Sequence, residues 1–164
     1  MITKKVCMLG DFAVGKTSLV KRYVYSIFSD DYLSTVGVKI SKKNISVNNV
    51  EMNLVLWDME GSDVYTEINI SYLRGAMGFF LVADGTRRET LDAAVRLRSR
   101  VLDMAGAIPH CLLINKADLT PDWQVTREDV DRLRSEGFTV FATCAKTGQS
   151  VEESFHTLAA AMLD

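Results

Sequence analysis

The sequence predicts an α/β domain in which a mostly parallel sheet carries helices on both faces. Short apolar runs typical of strands alternate along the chain with segments whose apolar residues recur at helical spacing. Hydrophobic residues make up 48% of the 164 positions, charged residues 24%, and proline occurs only twice. That composition is typical of a folded domain. Strand–helix alternation implies parallel strands joined by crossover helices.

The predicted elements follow one another without a repeat, a linker or a low-complexity segment. Strands are predicted at 6–9, 38–47, 52–57, 79–83, 111–114 and 139–143. Helices are predicted at 17–25, about 67–74, 91–104, 127–135 and 151–162. Asn48 and Asn49 separate the second and third strands and favour a hairpin turn, so these two strands should be antiparallel. The length suits one hydrophobic core, and residues 1–164 are predicted to form a single domain.

Two of the predicted helices begin with the spacing of a capping box. Thr126 precedes Asp129 by three residues, and Ser150 precedes Glu153 by three. In such a box the hydroxyl and the acidic side chain each accept a hydrogen bond from the other residue's backbone N–H.

Charge and cysteine content indicate a cytoplasmic protein. Lys and Arg number 19 and Asp and Glu 21, which gives no electrostatic reason to expect nucleic acid as a partner. Cys7, Cys111 and Cys144 lack metal-ligand spacing and are interpreted as reduced thiols that act as small apolar side chains. No apolar run approaches membrane-spanning length, and Leu163-Asp164 carries no prenylation signal. A monomer without a covalent lipid anchor is expected.

A phosphate-binding loop is predicted between the first strand and the first helix. The segment from Gly10 to Thr17 fits the pattern G-x-x-x-x-G-K-[ST]. Glycines allow backbone angles that let successive N–H groups converge on phosphate oxygens, and the helix N-terminus favours negative charge. Lys16 would place a charge between the terminal phosphates, and the Thr17 hydroxyl would ligate Mg²⁺. The predicted nucleotide contacts here are Gly10, Asp11, Ala13, Val14, Gly15, Lys16, Thr17 and Ser18.

The segment after the fifth strand predicts guanine as the base. Asn115-Lys116-Ala117-Asp118 places a carboxylate where its two acceptors suit the adjacent N1–H and N2–H₂ donors of guanine. Adenine presents the wrong pattern, and unmatched buried polar groups can discriminate by ~10⁴. Lys116 can cover the base or the ribose, and Asn115 can connect neighbouring loops.

A second base contact is predicted after the last strand, at Cys144, Ala145 and Lys146. Backbone amides of this loop can meet the guanine O6, with the Lys146 side chain stacked nearby. Either of these two short segments alone is a weak signal. Their order along the chain, each at the carboxyl end of a strand and after a phosphate loop, predicts a guanine-nucleotide site.

With these motifs the sequence resembles the Ras superfamily of small GTPases, and within it the Rab-like branch. The resemblance runs from residue 4 to about 162 and is most specific at 10–19, 35–38, 57–58 with 61, 71–78, 115–118 and 144–148. It implies a P-loop NTPase fold with one antiparallel strand in a six-stranded sheet and five helices. It also implies Mg²⁺ as cofactor and two mobile segments that sense the γ-phosphate.

The resemblance assigns four further residues by position. Phe28 falls where the family stacks an aromatic ring on guanine, although a core position is equally consistent with the residue itself. Thr35 falls where a threonine meets Mg²⁺ and the γ-phosphate. Asp58 would hold Mg²⁺ through water, and the Gly61 N–H would contact the γ-phosphate. Release of that phosphate would remove these contacts and relax the segments.

The residues after the third strand depart from the family. The family has Asp-Thr-Ala-Gly-Gln, whereas this chain has Asp58-Met59-Glu60-Gly61-Ser62. The glutamine that orients the attacking water is replaced by Ser62, which is too short to reach the same place. Glu60 adds negative charge near the developing phosphate charge. The residues predicted to act in hydrolysis are Lys16, Thr35, Gly61 and Ser62, and those predicted to bind metal are Thr17, Thr35 and Asp58.

The surface that would meet an effector also departs from the Rab-like pattern. Trp57 and Tyr72 match its aromatic positions, but Ile40 replaces the usual Phe and Lys39 stands where an acid is common. An effector protein is expected, with an exchange factor or a GTPase-activating protein as possible regulators, but not a standard Rab effector.

Three functions are consistent with the sequence. The first is a GTPase switch that is slow alone and is assisted by a partner's arginine. The second is a module that holds GTP or GDP, hardly hydrolyses it, and signals by occupancy. The third is an ATP-using enzyme with a phosphate loop, such as a small-molecule kinase, which Asp118 disfavours because its carboxylate suits guanine.

Overall fold

The computed structural model describes residues 1–26, 38–59 and 70–163. Four of the residues predicted to act at the site, Phe28, Thr35, Gly61 and Ser62, lie outside these ranges.

Six strands in the described part of the chain form one sheet. They are β1 Ile2–Gly10, β2 Val38–Val47, β3 Val50–Met59, β4 Ala76–Asp84, β5 His110–Asn115 and β6 Val140–Ala142. The strand order is β2-β3-β1-β4-β5-β6. Every neighbouring pair is parallel except β2 and β3, which are antiparallel. The predicted mostly parallel sheet with one antiparallel strand is confirmed.

Five α-helices occur among the described residues, as the sequence predicts. They are α1 Lys16–Tyr25, α2 Ile70–Leu73, α3 Arg88–Ala105, α4 Arg127–Ser135 and α5 Val151–Ala161. For the helix predicted at about 67–74, the described part begins at residue 70. None of the helices described is both long and apolar enough to cross a bilayer.

The core lies on both faces of the sheet because the central strands are buried on both sides. In β4, Phe79 and Leu81 belong to one buried cluster and Phe80 and Val82 to the other. The first cluster contains residues of α2, α3 and α4, and the second contains residues of α1 and α5. Strands buried in this way have near-continuous apolar sequences, which is why the sequence identified them as short apolar runs.

The predicted hairpin between β2 and β3 is confirmed. Asn48 and Asn49 have φ of 50° and 66°, both in the left-handed region. Two left-handed residues form the turn whose twist matches the flanking strands, and asparagine tolerates that conformation better than most residues.

One predicted capping box is confirmed and the other is wrong. At α4 the Thr126 hydroxyl accepts from the Asp129 N–H at 3.1 Å, and the Asp129 carboxylate accepts from the Thr126 N–H at 2.8 Å. Ser150, before α5, has φ of 56° and makes no side-chain cap. A capping residue needs an extended backbone, and the left-handed turn through Ser150 prevents its hydroxyl from meeting the helix amides.

The three cysteines are free thiols, and two of them, Cys7 and Cys111, serve as small apolar side chains as predicted, whereas Cys144 makes polar contacts. Cys7 and Cys111 are buried in the two clusters of the core, one in each. Burial raises the pKa of each of these thiols to about 12. Because a thiol with such a pKa stays protonated at neutral pH, both behave as inert parts of the core.

The topology places one edge of the sheet where a ligand site is expected. β1 lies in the middle of the sheet, with β3 on one side and β4 on the other. In open α/β sheets ligands bind beyond the carboxyl ends of the strands, where the order of the strands changes direction. The loop after Gly10 leaves the sheet at that point.

Candidate functional site

The loop between β1 and α1 has a backbone that requires its two glycines. Gly10 has φ of 153°, and a Cβ at this position would lie 2.3 Å from the Val82 carbonyl oxygen. Gly15 has φ of 103°, and Ala13 between them is also left-handed, with φ of 56°. The loop therefore adopts the conformation that the G-x-x-x-x-G spacing predicts, and a side chain at Gly10 would displace β4.

Lys16 opens α1 and turns back into this loop. Its ammonium donates to the Gly10 carbonyl at 2.8 Å and lies 3.4 Å from the Asp11 carbonyl. The side chain is buried, as is Ser18 in the same turn. Lys16 is thus held on the inner side of the loop at the helix N-terminus, where anions are favoured.

Thr17 and Asp58 meet although they are 41 positions apart. The Thr17 hydroxyl donates to the Asp58 Oδ2, and Asp58 is 1% exposed at the carboxyl end of β3. β3 pairs with β1 in a register that puts Asp58 opposite Met8, which brings the carboxylate beside the first turn of α1. A hydroxyl and a carboxylate oxygen form a donor set that fits a hard cation such as Mg²⁺.

Asn115 connects three loops at the carboxyl edge of the sheet. It is fully buried at the end of β5. Its Nδ2 donates to the Val14 carbonyl at 3.0 Å, and its Oδ1 accepts from the Thr143 hydroxyl at 3.2 Å. The phosphate-loop segment and the loops after β5 and β6 are therefore joined through one amide.

Lys116 makes a second link to the phosphate-loop segment. Its Nζ donates to the Ala13 carbonyl at 3.0 Å and lies 2.9 Å from the Asp84 Oδ2. The residue has φ of 70°, a left-handed conformation that turns the chain sharply after the buried Asn115. The two neighbouring residues thus donate to consecutive carbonyls of one loop.

The loops that carry Asp118 and Cys144 lie side by side. The Cys144 thiol is 3.3 Å from the Asp118 Oδ1, and the Ala117 N–H donates to the Thr143 carbonyl at 3.0 Å. Asp118 and Lys146 are exposed, whereas Cys144 and Ala145 are buried. A carboxylate and loop amides are thus available on the same side of the sheet as the Gly10–Lys16 loop.

Asp84 was not predicted, although the sequence carried a signal for it. It is an acid at the end of an apolar strand and is 1% exposed. Its Oδ1 accepts from the Thr86 N–H at 2.9 Å and the Thr86 hydroxyl at 2.7 Å, and its Oδ2 lies 3.1 Å from the Arg87 Nε. Burial raises the pKa of Asp84, but the hydrogen bonds from Lys116 and Thr86 outweigh burial and leave the pKa below its ordinary value.

Aromatic and apolar side chains cluster around Trp57, which is itself partly buried. The rings of Trp57 and Tyr72 meet edge to face with centroids 5.8 Å apart, and the Lys5 Nζ lies 3.7 Å from the Trp57 ring centroid. Ile40 pairs with Trp57 across β2 and β3, so the two share a face, and Ile40 is 50% exposed. Tyr72 is buried, so Ile40 beside the partly exposed Trp57 is the apolar part of this cluster that a protein partner could contact.

Comparison with known proteins agrees with this arrangement. The sequence profile of the Ras family matches residues 5–164. The Ras-related protein Rab-13 of Mesocricetus auratus is 32% identical over 157 residues, which cover 94% of this chain and 77% of that protein. The Ras-related protein Rab-7L1 of Rattus norvegicus is 36% identical over 168 aligned positions, which cover 98% of this chain and 82% of that protein. With nearly the whole sequence matched, and with the phosphate-loop and base-loop motifs meeting at one edge of the sheet, this chain belongs to the Ras family as a Rab-like small GTPase.

Proposed function

We propose that this protein is a molecular switch that binds GTP and GDP with Mg²⁺ and hydrolyses GTP slowly. One observation carries the proposal. Asn115 and Lys116 donate to the consecutive carbonyls of Val14 and Ala13. These two bonds support the proposal that the segment suited to the base and the loop suited to phosphate act as one site.

Guanine recognition is assigned to the two loops on the base side. The Asp118 carboxylate would accept from N1–H and N2–H₂, and the amides around Cys144, Ala145 and Lys146 would meet O6. Asp118 is accessible, which a base-binding carboxylate needs. Phe28, by resemblance to the family, would stack on the ring.

Phosphate binding is assigned to the amides of the loop from Gly10 to Ser18, with Lys16 between the terminal phosphates. The left-handed Ala13 and Gly15 support this because such a backbone turns successive N–H groups towards one side. The buried ammonium of Lys16 lies at the start of α1, where the helix dipole also favours negative charge.

Magnesium is assigned to Thr17, Asp58 and Thr35. The contact between the Thr17 hydroxyl and the buried Asp58 carboxylate supports the first two residues, and the resemblance supplies Thr35. When bound, the ion would neutralise charge on the phosphate oxygens. Thr17 and Asp58 would orient their oxygens towards it, and Thr35 would join them only when the γ-phosphate is present.

Hydrolysis is assigned to Lys16, Thr35, Gly61 and Ser62, and it is expected to be slow. Ser62 occupies the position of the water-orienting glutamine, and its hydroxyl is too short for that role. Together with Glu60, this substitution favours a second candidate function, a nucleotide-binding module with negligible hydrolysis that signals by occupancy.

The partner is proposed to be an effector protein, with an exchange factor or a GTPase-activating protein as regulators. The exposed Ile40 beside the partly buried Trp57 supports a contact surface here, and Ile40 differs from the usual pattern. We further propose that residues 1–164 form one domain of a monomeric cytoplasmic protein that binds no nucleic acid.

The nucleotide that co-purifies with the protein tests this proposal. Denaturing the purified protein and separating the released nucleotides by chromatography should give GDP or GTP at close to one per chain. Release of adenine nucleotide instead would contradict the assignment of the base and would favour an ATP-using enzyme. Following [γ-³²P]GTP in a single turnover then separates the slow switch from the non-hydrolysing module.

A further inference from the structure

Two positively charged side chains that do not belong to the phosphate loop donate hydrogen bonds to two consecutive carbonyls of that loop. The Phe12 carbonyl accepts from the Arg87 Nη2 at 2.7 Å, and the Ala13 carbonyl accepts from the Lys116 Nζ at 3.0 Å. Both cations also bind one carboxylate. The Asp84 Oδ2 lies 3.1 Å from the Arg87 Nε and 2.9 Å from the Lys116 Nζ.

Holding these carbonyls determines where the next amides point. In a trans peptide the C=O and N–H of one unit point in opposite directions. The Phe12 carbonyl shares its peptide unit with the Ala13 N–H, so a carbonyl turned outward to Arg87 turns that N–H inward. Because Ala13 is left-handed, with φ of 56°, the loop backbone also carries strain that surrounding contacts must hold.

The backbone from which Arg87 extends is itself fixed. Asp84 is 1% exposed at the end of β4. The next residue, Gly85, donates to the Asn115 carbonyl at 3.0 Å and accepts from the Gln124 N–H at 2.8 Å. The Trp123 ring covers Gly85 so closely that a Cβ there would lie 2.1 Å from a ring carbon. Arg87 therefore reaches the phosphate loop from a rigid corner rather than from a loose surface loop.

The neighbouring arginine shows that this contact is specific to Arg87. Arg88 makes a bidentate pair with Asp129, at 2.7 Å and 2.8 Å, which joins α3 to α4. Its guanidinium therefore has a structural role in joining two helices. The two arginines are adjacent in sequence and similar in exposure, so they form a matched pair for comparison.

We propose that Arg87 is a positioning residue for phosphate binding. Through the Phe12 carbonyl it directs the Ala13 N–H towards the terminal phosphates of the nucleotide. Loss of this contact should weaken the binding of GDP and GTP much more than the binding of GMP, because the hydrogen bonds of the Arg87 side chain go to Phe12 and Asp84 and not to the base loops. The inference rests on the proposed function of the same site.

The test compares the variants Arg87→Gln and Arg87→Lys with the control Arg88→Gln. Dissociation constants for GDP and for GMP are measured with Mg²⁺ by competition against a fluorescent GDP analogue, and melting is followed in parallel. Arg87→Gln should weaken GDP about tenfold, the effect of one charge-assisted hydrogen bond, and leave GMP nearly unchanged. Arg87→Lys should fall between, because its ammonium keeps the charge but lacks the two separate donors, Nε and Nη2, that reach Asp84 and Phe12. Arg88→Gln should lower the melting temperature but leave the ratio of the GDP and GMP dissociation constants at its wild-type value.

Two results would overturn the inference. One is a wild-type ratio of the GDP and GMP dissociation constants in both Arg87→Gln and Arg87→Lys, whether the two constants stay the same or rise equally. The other is an equal change of that ratio in Arg88→Gln. If Arg87→Gln fails to fold, the ratio of the GDP and GMP dissociation constants in Arg87→Lys tests the inference instead. A wild-type protein that binds neither guanine nucleotide would instead contradict the proposed function.

Discussion

The loops on the base side, which follow β5 and β6, and the phosphate loop between β1 and α1 differ in how far along the chain their hydrogen-bond partners lie. The loops after β5 and β6 are joined to distant parts of the chain by buried side chains. Asn115 bonds to Val14, 101 positions away, and Thr143 bonds to Asn115 across 28 positions. Within the phosphate loop, Lys16 bonds back to Gly10 across only 6 positions.

This difference indicates a division of tasks. A buried polar group that loses its partner costs about 1–3 kcal/mol, so the cross-linked base side resists deformation and can select a ligand by its hydrogen-bond pattern. The phosphate loop has a short-range bond from Lys16 and also accepts bonds at its carbonyls from Asn115, Lys116 and Arg87. We therefore expect base-side substitutions to change which nucleotide binds. Phosphate-side substitutions should change how tightly the nucleotide binds or how fast GTP is hydrolysed.

The largest effect is expected from Asp118→Asn, which tests the base side. The amide can present a donor where guanine also presents one, so GDP affinity should fall by ~10³ or more while xanthosine diphosphate gains relative to GDP. Competition against a fluorescent nucleotide measures both constants. Asp122→Asn is the matched control, because Asp122 is also exposed and lies in the short 3₁₀ turn that follows. Wild-type GDP affinity in Asp118→Asn would show that Asp118 does not recognise the base.

A smaller effect is expected from Ser62→Gln, which tests the phosphate side. Restoring an amide that can orient the attacking water should raise the single-turnover rate of GTP hydrolysis roughly tenfold or more. GDP affinity should hardly change, because Ser62 is not assigned to nucleotide binding.

A different residue could polarise the water in place of the missing amide. If Glu60 or Asp63 does so, Ser62→Gln would change little, while Glu60→Ala or Asp63→Ala would slow the reaction. The same single-turnover assay separates these cases. A fast wild type whose rate none of the three substitutions changes would contradict the account of hydrolysis.

The smallest effect is expected from Thr126→Ala, which tests whether stability and ligand choice are separate. Loss of the confirmed cap should cost about 1 kcal/mol, or about 3 °C in melting temperature for a domain of this size. Ser150→Ala removes a hydroxyl that makes no cap and should change melting by less than that. Both variants should keep the wild-type ratio of GDP to ADP affinity. A changed ratio in Thr126→Ala would mean that the base site responds to global stability.

Local sequence signals predicted most of the fold. The ends of β2 and α4 match the predicted ranges, because the Asn48-Asn49 turn and the Thr126 cap are chemical signals within a few residues. The capping box predicted at Ser150 is wrong because the spacing between Ser150 and Glu153 carries no information about the left-handed backbone at Ser150. β1 begins at Ile2, before its apolar run, because pairing with β3 extends through the polar residues at its start.

The site was predictable where its residues form short motifs. Asn115, Lys116 and Lys16 lie where their motifs predict, at the carboxyl edge of the sheet. The contact of Arg87 with Phe12 could not be predicted, since it joins residues 75 positions apart and no local pattern marks it. The only sequence signal for Asp84 is that it is an acidic residue at the end of an apolar strand.

Ligand-induced stabilisation shows whether the base loops and the phosphate loop form one site for a guanine nucleotide. Melting of the purified, nucleotide-stripped protein is measured with Mg²⁺ and either GDP or ADP, each in matched excess. At a thousand-fold excess over Kd, GDP should stabilise the fold by ~4 kcal/mol and raise the melting temperature by about 10 °C. ADP should leave the melting temperature unchanged. Equal shifts with the two nucleotides, or no shift with either, would contradict the account.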